Sequence, residues 1–171
     1  MAEILRSLNR EWSAIAGSPS ARRALMRWSA THPVLTSAAD LDDVIDLGFN
    51  PDDGPAVRRA LAALAPADHL AARTLLQGLL GGLCNLAHRV GRDDDAIDDI
   101  VRLAWERIRT YPASRPGSVS ANVLLDVRKR YRREQEERRR RQKRQDDAGD
   151  PQDDANDPGD DEQRSQQRRT R

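Results

Sequence analysis

One stretch of this chain constrains its fold more than any other, because no single neighbour could cover it. After Pro66, from Ala67 to about Val90, Leu70, Leu75, Leu76, Leu79, Leu80, Leu83, Leu86 and Val90 lie around most of a helical cylinder. A helix that is apolar nearly all round is a buried one, so other elements must wrap it. Those elements are expected to be helices as well. Ala and Leu are abundant, β-favouring residues are few, and no segment alternates with period two over a useful length. The expected fold class is therefore all-α: a helical bundle with a projecting basic C-terminal helix and a disordered acidic tail. Within the central stretch Gly78, Gly81 and Gly82 each weaken the helix by roughly 1 kcal/mol relative to Ala. Close approach of another helix is expected there, a break near Gly81 being the alternative.

Punctuation residues divide the rest. A first helix is expected from Ala2 to Ala16, ended by Gly17, and Ser18-Pro19 opens a second that runs to about Thr31. His32-Pro33 breaks that helix, and a short one follows from about Ala38 to Leu47. The segment "GFNPDDGP" (Gly48 to Pro55) reads as a turn-rich connection before "AVRRALAALA" resumes the helical pattern. Downstream, "GRDDD" makes a turn that places Asp94 and Asp95 where the start of a helix favours negative charge. From Ala96 to Thr110, Ile97, Ile100, Val101, Ala104, Trp105 and Ile108 form one apolar arc, with Trp105 expected in the core. Asp98, Asp99, Arg102, Glu106 and Arg109 take the opposite face. The two prolines of "YPASRPG" stop this helix. Ser118 can cap a final one, whose apolar stripe (Val119, Val123, Leu124, Val127, Tyr131) ends at Tyr131.

The formal net charge of +1 conceals strong segregation. Met1 to Val127 carries 14 basic and 16 acidic residues, and Arg128 to Arg144 carries 11 basic and 3 acidic. Gln145 to Gln163 then holds 9 acidic residues and no basic one. Such blocks belong to interaction arms and tails. "RREQEERRRRQKRQ" has no face to bury, so it is expected to project as a solvated helix or to fray; from Asp146 onward no aliphatic residue beyond Ala occurs, so disorder is expected there. The division is thus 1–65, an N-terminal helical segment; 66–133, a helical core; 134–145, a basic helix extension; and 146–171, the acidic tail.

Little in the chain resembles catalytic chemistry. His32, His69 and His88 stand far apart, and the single Cys84 cannot build a zinc site, so no metal and no cofactor is expected. His88 follows Cys84 by four, but a structural histidine is the better account of it. Neither a Gly-rich phosphate loop nor a Gly-x-Ser-x-Gly elbow occurs, and "DDDAIDD" lacks the alternating oxygens of a calcium loop. The reading is of a protein that is not an enzyme and has no small-molecule substrate. The N-terminus shows no basic region followed by an apolar stretch, and no apolar run approaches the ~18 residues of a membrane span. A cytoplasmic protein that does not engage membranes is expected.

Two consecutive helices joined by a tight elbow, acidic first and basic second, resemble region 2 of bacterial RNA polymerase sigma factors, especially the extracytoplasmic-function class. The resemblance covers roughly Leu70 to Arg133. "AIDDIVRLAWERI" is similar to the family's Asp-Leu-Val-Gln-Glu-x-Phe helix, with Asp99, Ile100, Val101, Ala104 and Trp105 matching in type; Arg102 and Leu103 stand where the family has Gln-Glu. "RPGSVSANVLLDVRKRYRRE" resembles the Gly-Ser-Phe-x-x-Trp-Leu segment, with Val119 and Asn122 at its aromatic positions, and no helix-turn-helix pattern follows. The resemblance implies a transcription-associated, DNA-binding protein that contacts RNA polymerase core, with Asp98, Asp99, Arg102 and Glu106 as the polymerase-contact candidates. It gives Arg128, Lys129, Arg130, Arg132 and Arg133 the nucleic-acid role. Arginine outnumbers lysine 9 to 2 between Arg128 and Arg144, and its planar fork suits phosphate. The acidic tail is expected to compete for these cations. The alternative is a protein–protein adaptor whose basic arm binds an acidic partner or the chain's own tail.

Overall fold

The computed structural model of the protein describes residues 2–90 and 96–148. Among the described residues seven α-helices follow one another: α1 (Glu3–Ile15), α2 (Pro19–Thr31), α3 (Leu41–Phe49), α4 (Gly54–Leu64), α5 (His69–Val90), α6 (Ala96–Arg109) and α7 (Val119–Ala148). A short 3-10 turn, Pro33–Leu35, links α2 to α3. The described residues include no strand, and no helix among them is long and apolar enough to cross a membrane. The chain divides into two compact units, Met1–Glu136 and Glu137–Arg171; of the second, only the end of α7 is described. The expected turn at Asp94 and Asp95 and most of the expected tail lie outside the described residues.

α5 is the axis of the first unit, as its all-round apolar pattern requires. It packs against α3, α4 and α6, and Ala71, Ala72, Leu75 and Leu83 along it are fully or almost fully enclosed. The helix runs through Gly81 without a break. Close packing explains only one of the three glycines: a Cβ at Gly82 would lie 3.0 Å from Leu124 Cδ1, whereas Gly78 and Gly81 face open space. Residues 2–65 belong to the same compact unit as α5, α6 and the start of α7.

Side-chain caps decide where α2, α3 and α5 begin. Ser18 Oγ accepts from the Ala21 amide at 3.1 Å. The third helix begins at Leu41, later than expected, because Asp40 caps it by accepting from the Asp42 and Asp43 amides at 2.9 and 3.0 Å. Asp68 likewise starts α5 two residues beyond Ala67, accepting from the Leu70 and Ala71 amides at 2.9 and 3.2 Å. Its other oxygen accepts from the Trp28 indole at 2.8 Å, so one carboxylate caps α5 and satisfies the most deeply buried tryptophan. Trp12 is held in the same manner, donating to Asp42 at 2.7 Å. α1 is further tied to α5 by the buried Arg73, which donates to the Leu8 carbonyl at 2.7 Å and to Glu11 at 3.3 Å. Burial pulls the Arg73 guanidinium below its ordinary pKa, and Glu11 offsets part of that shift.

One sequence expectation on α6 needs correction. Trp105 is half-buried instead of enclosed: its ring stands edge-on to His69, with centroids 4.8 Å apart, along a groove between α1, α5 and α6. Leu103, which the sequence reading assigned to neither face, is fully buried. α6 is covered over more of its surface than a one-sided pattern implies, and its outer boundary is set by the neighbouring helices.

The α3–α4 connection depends on Gly54. A Cβ there would overlap the Gly48 carbonyl oxygen and lie 3.0 Å from its carbon, both backbone atoms that no rotamer change can move aside. Gly54→Ala is expected to destabilise the fold by about 2–3 kcal/mol through overpacking, measured by urea denaturation. An unchanged midpoint would show that the two backbones do not approach in this way.

Candidate nucleic-acid interface

The elbow before α7 is built to fix that helix. Gly117 takes a left-handed backbone, φ +87°, which glycine adopts without steric cost. Asn122 donates to the Tyr111 hydroxyl at 2.9 Å and to the Pro116 carbonyl at 3.0 Å, and Ser118 Oγ accepts from the Ala121 amide at 3.4 Å. Val119, Val123, Val127 and Tyr131 are all buried, one residue per helical turn, so the expected stripe anchors α7 over three turns.

Asp126 clamps the elbow from the other side. It accepts from Arg115 at 2.5 Å and from Arg107 at 2.7 Å, joining the connection, α6 and α7. Burial alone would raise its pKa, but the two arginine hydrogen bonds outweigh burial and hold the carboxyl below its ordinary 3.8. A carboxylate depressed in the folded state stabilises the fold above its unfolded pKa, and that contribution disappears as pH falls through the folded value. Wild-type melting temperature should therefore drop on acidification below about pH 4, and Asp126→Asn should show a smaller drop over the same window. Parallel acid profiles for the two proteins would remove the clamp.

Opposite the buried stripe lie Arg128, Lys129, Arg132 and Arg133. The pairs 128/132 and 129/133 are each four residues apart, hence on one side of the helix. All four are exposed, and none forms an ion pair with a described residue. In the second unit Arg139, Arg140, Arg141, Lys143 and Arg144 are also exposed.

Arg130 is placed differently. Its guanidinium reaches Glu106 at 2.6 Å and Glu134 at 3.2 Å. Arg102 binds the same two carboxylates at 3.1 and 2.7 Å, and Asp99 at 3.5 Å. Two cations and three carboxylates thus form a lattice that braces α6 against α7. Hydrogen bonding to Glu134 is the main reason the Arg102 pKa lies above its ordinary value; burial opposes the shift and Glu106 adds to it. Three of the four polymerase-contact candidates, Asp99, Arg102 and Glu106, are members of this lattice. The fourth, Asp98, is exposed and borders the groove that holds Trp105.

Sequence reasoning did not single out Asp126, Arg107 or Arg115, which bind across 19 and 11 residues. Nor did it pick out Arg73. No local pattern marks such pairs, because each depends on how the helices dock. No protein-family model, no curated protein and no solved structure matches this chain.

Proposed function

We propose that this chain is a sigma-factor-like, non-catalytic, transcription-associated protein of the cytoplasm that contacts nucleic acid through α7, with RNA polymerase core as a further partner. The observation that carries this reading is the solvent-facing set Arg128, Lys129, Arg132 and Arg133, unpaired by any described carboxylate and mounted opposite a buried apolar stripe. Four cations on a fixed helix face match a phosphate backbone. The basic run beyond them supplies the arm, and the acidic tail is its intramolecular competitor. Arg130 stays with the α6–α7 brace, and Asp98 is the exposed candidate for polymerase.

Fluorescence anisotropy with labelled duplex DNA, single-stranded DNA and RNA across a salt series tests the proposal. Binding that is tolerant of sequence and weakens steeply with salt is the expected result. If no nucleic acid binds at low salt, even after deletion of 149–171, the α7 cations serve an acidic protein partner, and the adaptor reading replaces this one. A pull-down probed for polymerase subunits tests the second partner separately.

A further inference from the structure

Three large apolar side chains stand exposed among the described residues: Met26 at 72 %, Phe49 at 67 % and Leu125 at 49 %. Met26 is the most exposed, and its charged neighbours on α2 are all arginines. Arg22 and Arg23 precede it by four and three residues, so they flank it on the outer face of the helix. Both are exposed, neither forms an ion pair with a described residue, and α2 contains no acidic residue.

The groove along Trp105 offers the complement. It is bordered from Ile4 to Glu11 on α1, from His69 to Leu76 on α5 and from Asp98 to Trp105 on α6. Each border spans seven residues, roughly 10 Å or two helical turns, a length that suits one face of another helix. The groove has a volume of about 340 Å³, and Leu8, Leu76, Val101 and Trp105 give it an apolar lining. Its edge is acidic in effect. Arg73 is held by Glu11 and Arg102 by three carboxylates, whereas Asp98 forms no ion pair with a described residue.

Charge selects among the three exposed side chains. Phe49 lies between Asp46 and the pair Asp52 and Asp53, which would oppose Asp98, and Leu125 is already half covered. Met26 brings two unpaired arginines. Arg27 adds position: it reaches Asp68 at 3.7 Å, the residue before His69, so the cationic face of α2 adjoins the His69 end of the groove. A knob and a groove on one continuous surface allow a two-fold pair in which each copy fills the other's groove, a closed arrangement.

We propose that the chain pairs with a second copy of itself through this surface. Met26 of each copy enters the other's groove with its thioether against Trp105, and Arg22 and Arg23 meet Asp98 and Glu11. Making the contact twice doubles the area covered, toward the ~1,200 Å² or more of a specific interface. The pairing does not depend on what α7 binds. It covers Asp98, so pairing and polymerase contact at that residue exclude one another.

Sedimentation velocity of the nuclease-treated full chain across a range of concentrations is the test, and a monomer–dimer equilibrium is the expected result. Met26→Glu sets a carboxylate against Asp98 and Glu11, and Asp98→Lys sets a cation against Arg22 and Arg23. Each should weaken pairing by at least about tenfold, as like charges facing each other across an interface imply. Both positions are exposed, so at dilutions where the parent is monomeric both variants should keep its melting temperature. A parent that stays monomeric at every concentration would overturn the proposal. So would a dimer that survives either substitution, as one held together by the basic arm and the acidic tail would.

Discussion

Replacing Arg128, Lys129, Arg132 and Arg133 together by Gln should flatten the salt dependence of nucleic-acid binding by about 3–4 units of log–log slope. On duplex DNA each neutralised phosphate contributes about 0.9 to that slope through counterion release, and four side chains are free to make such contacts. At low salt the affinity should fall by about a thousandfold, with the melting temperature almost unchanged because all four side chains are exposed. Arg130→Gln should behave in the opposite way. Its guanidinium is held between Glu106 and Glu134, so the variant should lose stability and leave the slope nearly intact. Anisotropy titrations at several salt concentrations, paired with thermal melts, separate the two classes. Equal slope losses for Arg130 and for its exposed neighbours would show that the brace opens on binding.

Trp28→Ala should cost about 3–5 kcal/mol, the range for a large aromatic side chain deleted from a core. Trp28 is 1 % exposed, and its indole N–H is satisfied by Asp68, which also caps α5. The substitution leaves a cavity and removes one of that carboxylate's partners. Trp105→Ala should cost clearly less, since Trp105 is only half-buried and lines an open groove. Urea denaturation of the two variants against the parent gives the comparison directly. A larger loss for Trp105 would mean that the groove is closed in solution.

The contrast between these two tryptophans shows how far the sequence can be read. Trp105 was expected in the core because helical spacing put it beside Val101 and Ile108, and spacing reports only which side of a helix a residue occupies. How much of that side is covered depends on the neighbouring helix. α1 and α5 border the groove along Trp105 without closing it. Trp28 keeps the same kind of spacing, with Ala21, Ala24 and Leu25 on one face of α2, and docking buries it completely.

The basic helix was legible for a similar reason of geometry. Its apolar stripe ends at Tyr131 and its cations begin at Arg128, so the anchored face and the solvated face follow from helical periodicity alone. That Arg130 stands apart from the other four cations was not legible. Arg130 differs from Arg128 only by rotation about the helix axis, and that rotation turns it toward Glu106 on another helix.

By itself, the sequence determined the all-helical class, the central place of α5, the elbow at Gly117 and the charged blocks, because each of these arises from local backbone preference or from the period of apolar residues along a single helix. Tertiary structure alone decided the Asp68–Trp28 and Asp126–Arg107–Arg115 junctions and the withdrawal of Arg130 into the α6–α7 brace. Those features join side chains from different helices, and a one-dimensional pattern holds no information about the docking that brings them within hydrogen-bonding distance.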